Sequence, residues 1–505
     1  VKLLALLLLL PFSAFGQITS TGTIIDDDSA CADFLCWEAV SGADSYEVCW
    51  DTASGQTAQF FGPTFPRYCD NVGNVTSVES ASDLDSILDD TYYFTVRSVD
   101  PAGFKGEDYS DEIGPIVVSG VKTRCDSTLS AGANVGTAIS GATAGNTICL
   151  NAGSYAGFTL NGVSKNPRVT VRAVSKSGVT FTSDINVCNN TRGLLLDGIA
   201  NFSIIQIGNC GTSANIQDIT IRNFNATGNS KHIFVDGITI TTTNILIENG
   251  IFNDNDLNNP LGELAGSIHF PYGGPNTARA TIRNVVFDGG CSDGINTGSP
   301  IIVEDSRFLN KVVGSCPDDP HTDALQLVGV TGTDPASSIF RRNYFYSNVQ
   351  VLTAFDEVED AIIENNLLDP GPSGERRPSQ IEWYSDNGSI IRYNTAVFRT
   401  STYGHIELNA KDTDDDGFGT QVYDNIANSI SIGGGSTASV NSDNCLRSGS
   451  SPNVVETPTY TNDPFPSTFA EAILSAGGCV GEASDGGNPG IRFLNLAAPA
   501  NFSHN

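Results

Sequence analysis

The feature that most constrains this chain is a recurrence of about 25 residues. From about residue 120 onward, short strand-like stretches end in an apolar residue, a charged residue, and then Asn, Asp or a small residue. Examples are Val171-Arg172-Ala173, Leu196-Asp197-Gly198, Ile221-Arg222-Asn223, Ile247-Glu248-Asn249, Ile282-Arg283-Asn284, Val303-Glu304-Asp305 and Ile363-Glu364-Asn365. The first charged positions, 172, 197, 222 and 248, lie 25, 25 and 26 residues apart, and later steps vary from 21 upward as loops lengthen. A fixed period in this range marks a solenoid. Apolar and polar residues alternate with strand period inside each repeat, so the solenoid is predicted to be a right-handed parallel β-helix and not an array of helices. Asparagine at the repeat corners tolerates left-handed backbone, and its amide can stack into hydrogen-bonded ladders between coils.

Composition agrees with an all-β chain. Gly is 52 of 505 residues and charged residues only 16%, a profile of many short strands and tight polar turns. Lys and Arg total 26 against 57 Asp and Glu, a formal charge of -31. That field repels phosphate backbones and anionic membranes, which excludes nucleic acid as a partner and favours a neutral or cation-bridged glycan over a bare polyanion. The opening VKLLALLLLLPFSAFGQ reads as a signal peptide over residues 1–16, implying secretion; its apolar run is too short for a transmembrane anchor. Twelve cysteines suit an oxidising compartment, with sequential pairs Cys125–Cys149, Cys188–Cys210, Cys291–Cys316 and Cys445–Cys479, and with Cys31, Cys36, Cys49 and Cys69 in the first segment.

Residues 20–118 form a separate unit. Trp37, Tyr46 and the stretch Thr91–Gly103 alternate apolar and polar with strand period. With Trp37 on one strand, Tyr46 on the next and Tyr92, Phe94 and Val96 as a Tyr-x-Phe-x-Val strand, this segment resembles a fibronectin type III β-sandwich, which implies a spacer or binding role. The run TAISGATAGNTICLNAGSYAGFTL followed by NPRVTVRAV resembles the opening coils of the pectate-lyase-like superfamily, and the solenoid is expected to occupy 120–480. Phe469–Leu474 is predicted as a short helix lidding the last coil, whose open edge needs cover, and 481–505 as a C-terminal tail.

A second strand recurs in the later coils: Ser267-Ile268-His269, Gly294-Ile295-Asn296, Ala324-Leu325-Gln326, Gln350-Val351-Leu352, Gln380-Ile381-Glu382 and His405-Ile406-Glu407. If the apolar middles stack in the core, their neighbours face outward. His269, Asn296, Gln326, Leu352, Glu382 and Glu407 then share one outward column, and Gln350, Gln380 and His405 the next. Such a polar face suits an extended polysaccharide or cell-surface glycan. Trp383 has the parity of Ile381 and is predicted to be core.

Just before two of these strands lie Asp293 and the run Asp318, Asp319, His321 and Asp323; an imidazole beside carboxylates is an acid/base arrangement. Asp319-Pro320-His321 resembles the Asp-Pro-His element of alginate C5-epimerases, which implies His321 as a proton-abstracting base, although here Thr322 stands where that family has Asp. Three functions follow, of which proton abstraction from a uronate is the main expectation and the other two are alternatives. A lyase or epimerase abstracts a proton next to a uronate carboxylate that Arg376, Arg377 or Lys311 neutralises. A glycoside hydrolase uses Glu382 and Glu407 as paired carboxylates; for catalysis of either kind the candidate face comprises Asp293, His321, Asp323, Glu382, His405 and Glu407. A non-catalytic protein binds or adheres to glycans through the same face. Asp412, Asp414 and Asp416, followed by Gly417, have the D-x-D-x-D-G spacing of a calcium loop, although the twelfth position is Tyr423 and not Glu.

Overall fold

The computed structural model describes residues 35–51, 68–78, 90–99, 110–118, 125–491 and 503–504, except 42, 76, 111, 175–177, 209, 211–214, 229–230, 237–241, 254–265, 272–279, 292, 312–321, 329–336, 347, 349, 356–357, 372–378, 398, 400–401, 411–416, 450–451, 461–471 and 473. Among these residues no helix is long and apolar enough to cross a membrane. The leader lies outside them, as do Cys31 and Cys316.

The repeats wind into a parallel β-helix whose later coils carry three strands each. First strands pair in parallel into an eleven-strand sheet from Thr159–Leu160 to Ser429–Ile432. Second strands form a ladder that includes Arg192–Asp197, Ile301–Glu304 and Ile390–Arg392, and third strands one that includes Arg307–Leu309, Tyr344–Tyr346 and Leu367–Asp369. These two ladders are joined because the long strands Thr242–Asn253 and Ala280–Asp288 continue around the corner and pair in both.

The inward columns explain why the chain closes into coils. Ile268, Ile295, Leu325, Leu352, Ile381 and Ile406 are successive register partners in the eleven-strand sheet, and all are buried. On the third wall Phe252, Phe287, Phe308 and Phe345 stack with centroids 5.5, 4.7 and 4.8 Å apart. A ring directly above a ring fills each layer with near-parallel contacts of favourable spacing.

The corner between second and third strands is a two-residue device. Its first residue has left-handed backbone, with φ between 52° and 59° at Asn223, Asn249, Asn284, Asp305, Arg342, Asn365, Tyr393, Asp424 and Asp443. Its second residue turns inward, and in the later coils it is asparagine: the Nδ2 of Asn343 donates to Oδ1 of Asn366 (3.1 Å), Asn366 to Asn394 (2.9 Å), Asn394 to Asn425 (3.0 Å), Asn425 to Asn444 (3.0 Å) and Asn444 to Asn453 (2.9 Å). Each amide carries both donor and acceptor, so the column satisfies itself coil after coil. Arg342 and Tyr393 depart from the expected Asn, Asp or small residue. Arg342 is held there by Asp305 (2.9 Å) and Glu304 (3.0 Å).

The charged residue before each corner forms a column of its own: Arg172, Asp197, Arg222, Glu248, Arg283, Glu304, Arg341, Glu364 and Arg392 are consecutive register partners. The sign alternates at every step. Arg172–Asp197 (3.0 Å), Arg222–Asp197 (3.1 Å), Arg283–Glu248 (2.6 Å), Arg341–Glu304 (2.8 Å) and Arg392–Glu364 (2.7 Å) are ion pairs along it.

The first coil is lidded by the helix Val135–Gly141, capped by Asn134, with Val135 and Ile139 packed into the core. At the other end, Leu474 begins a strand, Leu474–Ala476, which pairs antiparallel with Thr459–Tyr460 and packs with Cys445 and Cys479; Phe469–Glu471 and Ile473 of the expected lid lie outside the described residues. Cys125–Cys149, Cys188–Cys210 and Cys445–Cys479 are disulfides. Beyond residue 480, Ser484 donates to Asp424, the Ile491 backbone N–H donates to Thr395, and Ser503–His504 pairs with Leu35–Cys36. In the first segment an antiparallel sheet orders Tyr68–Gly73, Ser45–Asp51, Asp90–Val99 and Ile113–Val118, and its Tyr46, Trp50 and Phe94 share a core with Leu35, Trp37 and Val78.

Replacing Asn394 by Ala removes two successive ladder steps, the one from Asn366 and the one to Asn425, and strands buried amide groups above and below. Urea unfolding is expected to report a loss of about 2–3 kcal/mol; an unchanged midpoint would mean that the ladder does not stabilise the coils.

Candidate functional site

The outward column of the eleven-strand sheet can be read rung by rung. Thr159, Asn186, Gln206, Phe234, His269, Asn296, Gln326, Thr353, Glu382, Glu407 and Ser431 are successive register partners. His269, Asn296, Gln326, Glu382 and Glu407 fall where the alternation put them. The rung Gln350–Phe355 differs by one residue: Leu352 faces the core and Thr353 takes the outward place, because Leu325 pairs with Leu352. Either of the adjacent residues Val351 and Leu352 can fill the core, and one-residue slips exchange the two faces of a strand. Gln350 consequently leaves the Gln380–His405 column and pairs with Asp323.

Facing outward does not mean facing solvent here. Asn296, Thr353, Gln326 and Glu382 are only 0, 1, 7 and 7% exposed, and Gln380 is buried too, so the middle of the column is enclosed. Around Asn296 the enclosed polar atoms bond one another, whereas the amide of Gln380 has no hydrogen-bond partner among the described residues. The Asn296 amide donates to Asp293 (2.8 Å) and to Gln326 (2.7 Å), and Asp293 also accepts the backbone N–H of Asp323 (2.7 Å). Asp293 and Asp323 are thus enclosed at the entry to their strands. Lys311 is enclosed as well, its backbone N–H donating to Asn348.

The column opens at His405–Asn409, where His405, Glu407 and Asn409 are half-buried; on the preceding rung Ser379–Tyr384 only Tyr384 is. Ile381, Trp383, Ile406 and Leu408 point inward, which leaves Gln380, Glu382 and Tyr384 on one rung and His405, Glu407 and Asn409 on the next. Trp383 packs in the core, edge-on to Phe340 at 6.4 Å. Among the register partners of the described strands, Glu382 over Glu407 is the one place where like charges meet. A bulge sets both Ser379 and Gln380 against His405.

The two carboxylates have different surroundings. Glu407 accepts from Ser379 Oγ (2.9 Å) and Asn409 Nδ2 (3.3 Å), whereas Glu382 faces the Gln350 amide at 3.4 Å. Burial and then the charges of Glu382 and Glu407 push the Tyr384 phenol up to about 12, so it keeps its proton and hydrogen-bonds Glu407. His405 is the other flanking group. Its Nδ1 lies 2.6 Å from Ser429 Oγ and its Nε2 3.3 Å from Asn428 Nδ2. Burial lowers its pKa, with the Thr402 backbone and Glu407 acting in the opposite sense, so the ring is neutral near neutral pH.

Thr353, Ser379, Tyr384 and Asn409 are site residues that the alternation argument missed. Tyr384 and Asn409 were readable, since each stands two residues beyond a glutamate already assigned outward. His321, Arg376, Arg377, Asp412, Asp414 and Asp416 lie outside the described residues. Among the described residues no three His, Cys, Asp or Glu side chains are grouped to hold a metal ion.

No family model and no curated protein sequence matches the chain. Among solved structures it is similar to the PL6 family alginate lyase AlyGC, at 15% identity and TM-score 0.39, over 73% of this chain and 57% of that lyase. It is also similar to alginate lyase AlyF-OU02 in complex with G6, at 12% identity and TM-score 0.33, over 74% and 97% of the two chains. A third similarity is to a family 28 exopolygalacturonase of Yersinia enterocolitica, at 10% identity and TM-score 0.30, over 84% and 96%. The parallel β-helix rests on the strand ladders themselves, and resemblance at this level transfers neither substrate nor mechanism.

Immediately past Glu382's strand, Asp386 is buried and accepts from the hydroxyls of Ser389 and Thr420. Burial raises its pKa from 3.8 to about 6. The folded state therefore holds this proton more tightly than the unfolded chain, and the contribution to stability is greatest below pH 3.8 and falls as pH climbs toward 6. Asp386→Asn is expected to raise the melting temperature relative to the parent at pH 7 and to lose that advantage at pH 3.5; an equal shift at both values would contradict the assignment.

Proposed function

We propose that this is a secreted carbohydrate-active protein that hydrolyses an extended, uncharged polysaccharide, with Glu382 and Glu407 as the reacting carboxylates. The observation that carries the reading is their stacking in register. The other charged register partners of the described strands meet an opposite charge or a neutral residue, although Asp293 and Asp323, each two residues ahead of the partners Ile295 and Leu325, also lie on neighbouring coils. A like-charge pair at a spacing of ~4.8 Å is unfavourable unless something else requires it. Retaining glycoside hydrolases require this arrangement, two carboxyl groups ~5–5.5 Å apart.

The surroundings suggest the division of labour. Glu407, with Ser379, Asn409 and Tyr384 as donors, is suited to carry negative charge and attack the anomeric carbon. Glu382, the more enclosed of the two, with the Gln350 amide 3.4 Å away, is assigned as the general acid that protonates the departing glycosidic oxygen. Water then releases the glycosyl group from Glu407 as Glu382 takes a proton back. The acidic pair and the overall charge of -31 favour a neutral chain over a uronate.

β-Elimination on a uronate is the second reading, and the neutral ring of His405 beside Glu407 favours it. There an imidazole, His405 or His321, abstracts the proton next to the carboxylate, with Arg376 or Arg377 neutralising that carboxylate.

Incubation with a panel of neutral and uronate polysaccharides separates the readings. Hydrolysis is expected to produce new reducing ends without unsaturated ends, and Glu382→Gln and Glu407→Gln should each lower the rate by about 10²–10⁴-fold with folding intact by circular dichroism. Unsaturated ends, with activity surviving in both variants but lost on replacing His405 or His321, would support elimination. Glycan binding with no products across the panel would overturn catalysis altogether.

A further inference from the structure

In the outward column of eleven register partners, ten side chains are polar or charged and one is not. The exception is Phe234. It is half-buried rather than enclosed, and its ring stacks on the half-buried imidazole of His269 with centroids 5.4 Å apart and planes inclined by 27°. Gln206 is its partner on the preceding rung and is also half-buried. No interior packing accounts for Phe234, since Ile233 and Val235 on the same strand supply the core contacts.

An aromatic face backed by a second ring and flanked by an amide has the two elements that pyranose recognition uses: an apolar surface for the axial C–H groups and directional hydrogen bonding at the rim. We propose that Phe234 and His269 form a carbohydrate-stacking subsite, separate from the carboxylate pair, that grips a distant unit of the same polysaccharide chain. The inference rests on the reading that the column serves a glycan. Phe234 and Glu382 are five rungs apart, a span of about 24 Å. The rungs between are enclosed, so the platform is a second point of attachment and not the end of an open trough. Two-point attachment raises the effective affinity for long chains and leaves short ones unaffected.

The experiment compares the parent protein with Phe234→Ala, Phe234→Trp and His269→Ala on polysaccharide and on tri- or disaccharide fragments of the polymer that the panel identifies. The polymer KM is expected to rise about tenfold in Phe234→Ala, to return toward the parent value in Phe234→Trp, and to rise less in His269→Ala. kcat, and both constants on the short fragments, should be unchanged. An unchanged polymer KM in Phe234→Ala, or an equal loss on short and long substrates, would overturn the subsite. If the panel finds binding without turnover, affinity electrophoresis on the bound polymer replaces KM. A loss of retardation in Phe234→Ala then supports the subsite although the catalytic reading has failed, and undiminished retardation refutes it.

Discussion

Everything in this structure depends on parallel, in-register stacking. Each coil lies ~4.8 Å above the last, so a side chain's nearest neighbours are the residues at the same position one coil away. A column is therefore stable only if its members tolerate one another. Three solutions appear: aliphatic and aromatic residues that stack on their own kind, asparagine, whose amide is its own hydrogen-bonding partner, and charges that alternate in sign. The last is followed through nine consecutive coils from Arg172 to Arg392. Desolvation offsets much of the attraction in buried pairs such as Arg222–Asp197, but the alternation avoids the repulsion that a column of one sign would impose.

The same rule makes Glu382 over Glu407 conspicuous. Nothing in the packing demands a carboxylate there; the neighbouring outward positions are filled by Thr353 and Ser431, either of which would be neutral. Local rules are broken mainly where function has a use for the cost. The donors gathered around Glu407 and the neutral ring of His405 beside it are consistent with a site whose charges are positioned rather than incidental.

Much of this was legible in the sequence. The 25-residue recurrence determined the β-helix, and the Val-Arg, Leu-Asp and Ile-Glu steps located the charged column, because a corner that needs left-handed backbone selects Asn and Asp. The recurrence faded at Arg342 and Tyr393, where ion pairing and tertiary packing hold residues that propensity disfavours. Register was lost by one at Val351-Leu352, where two apolar neighbours leave the pleat undetermined. Exposure was not legible at all: strand parity says which way Asn296 and Gln326 point, but only the folding of the intervening chain decides whether water reaches them. Phe234 was missed because single apolar residues on outward faces are common and carry no signal until their stacking partner is known.

On the proposed reading, Glu382 sits opposite Glu407 at a cost in stability retained for chemistry. Urea unfolding of Glu382→Gln at neutral pH and low salt tests this directly. The midpoint is expected above the parent's, corresponding to a gain in unfolding free energy of about 0.2–1 kcal/mol, with an unchanged m-value and the advantage shrinking as salt screens the pair. A midpoint at or below the parent's, indifferent to salt, would mean that the two carboxylates do not oppose each other, and the site built on them would fall.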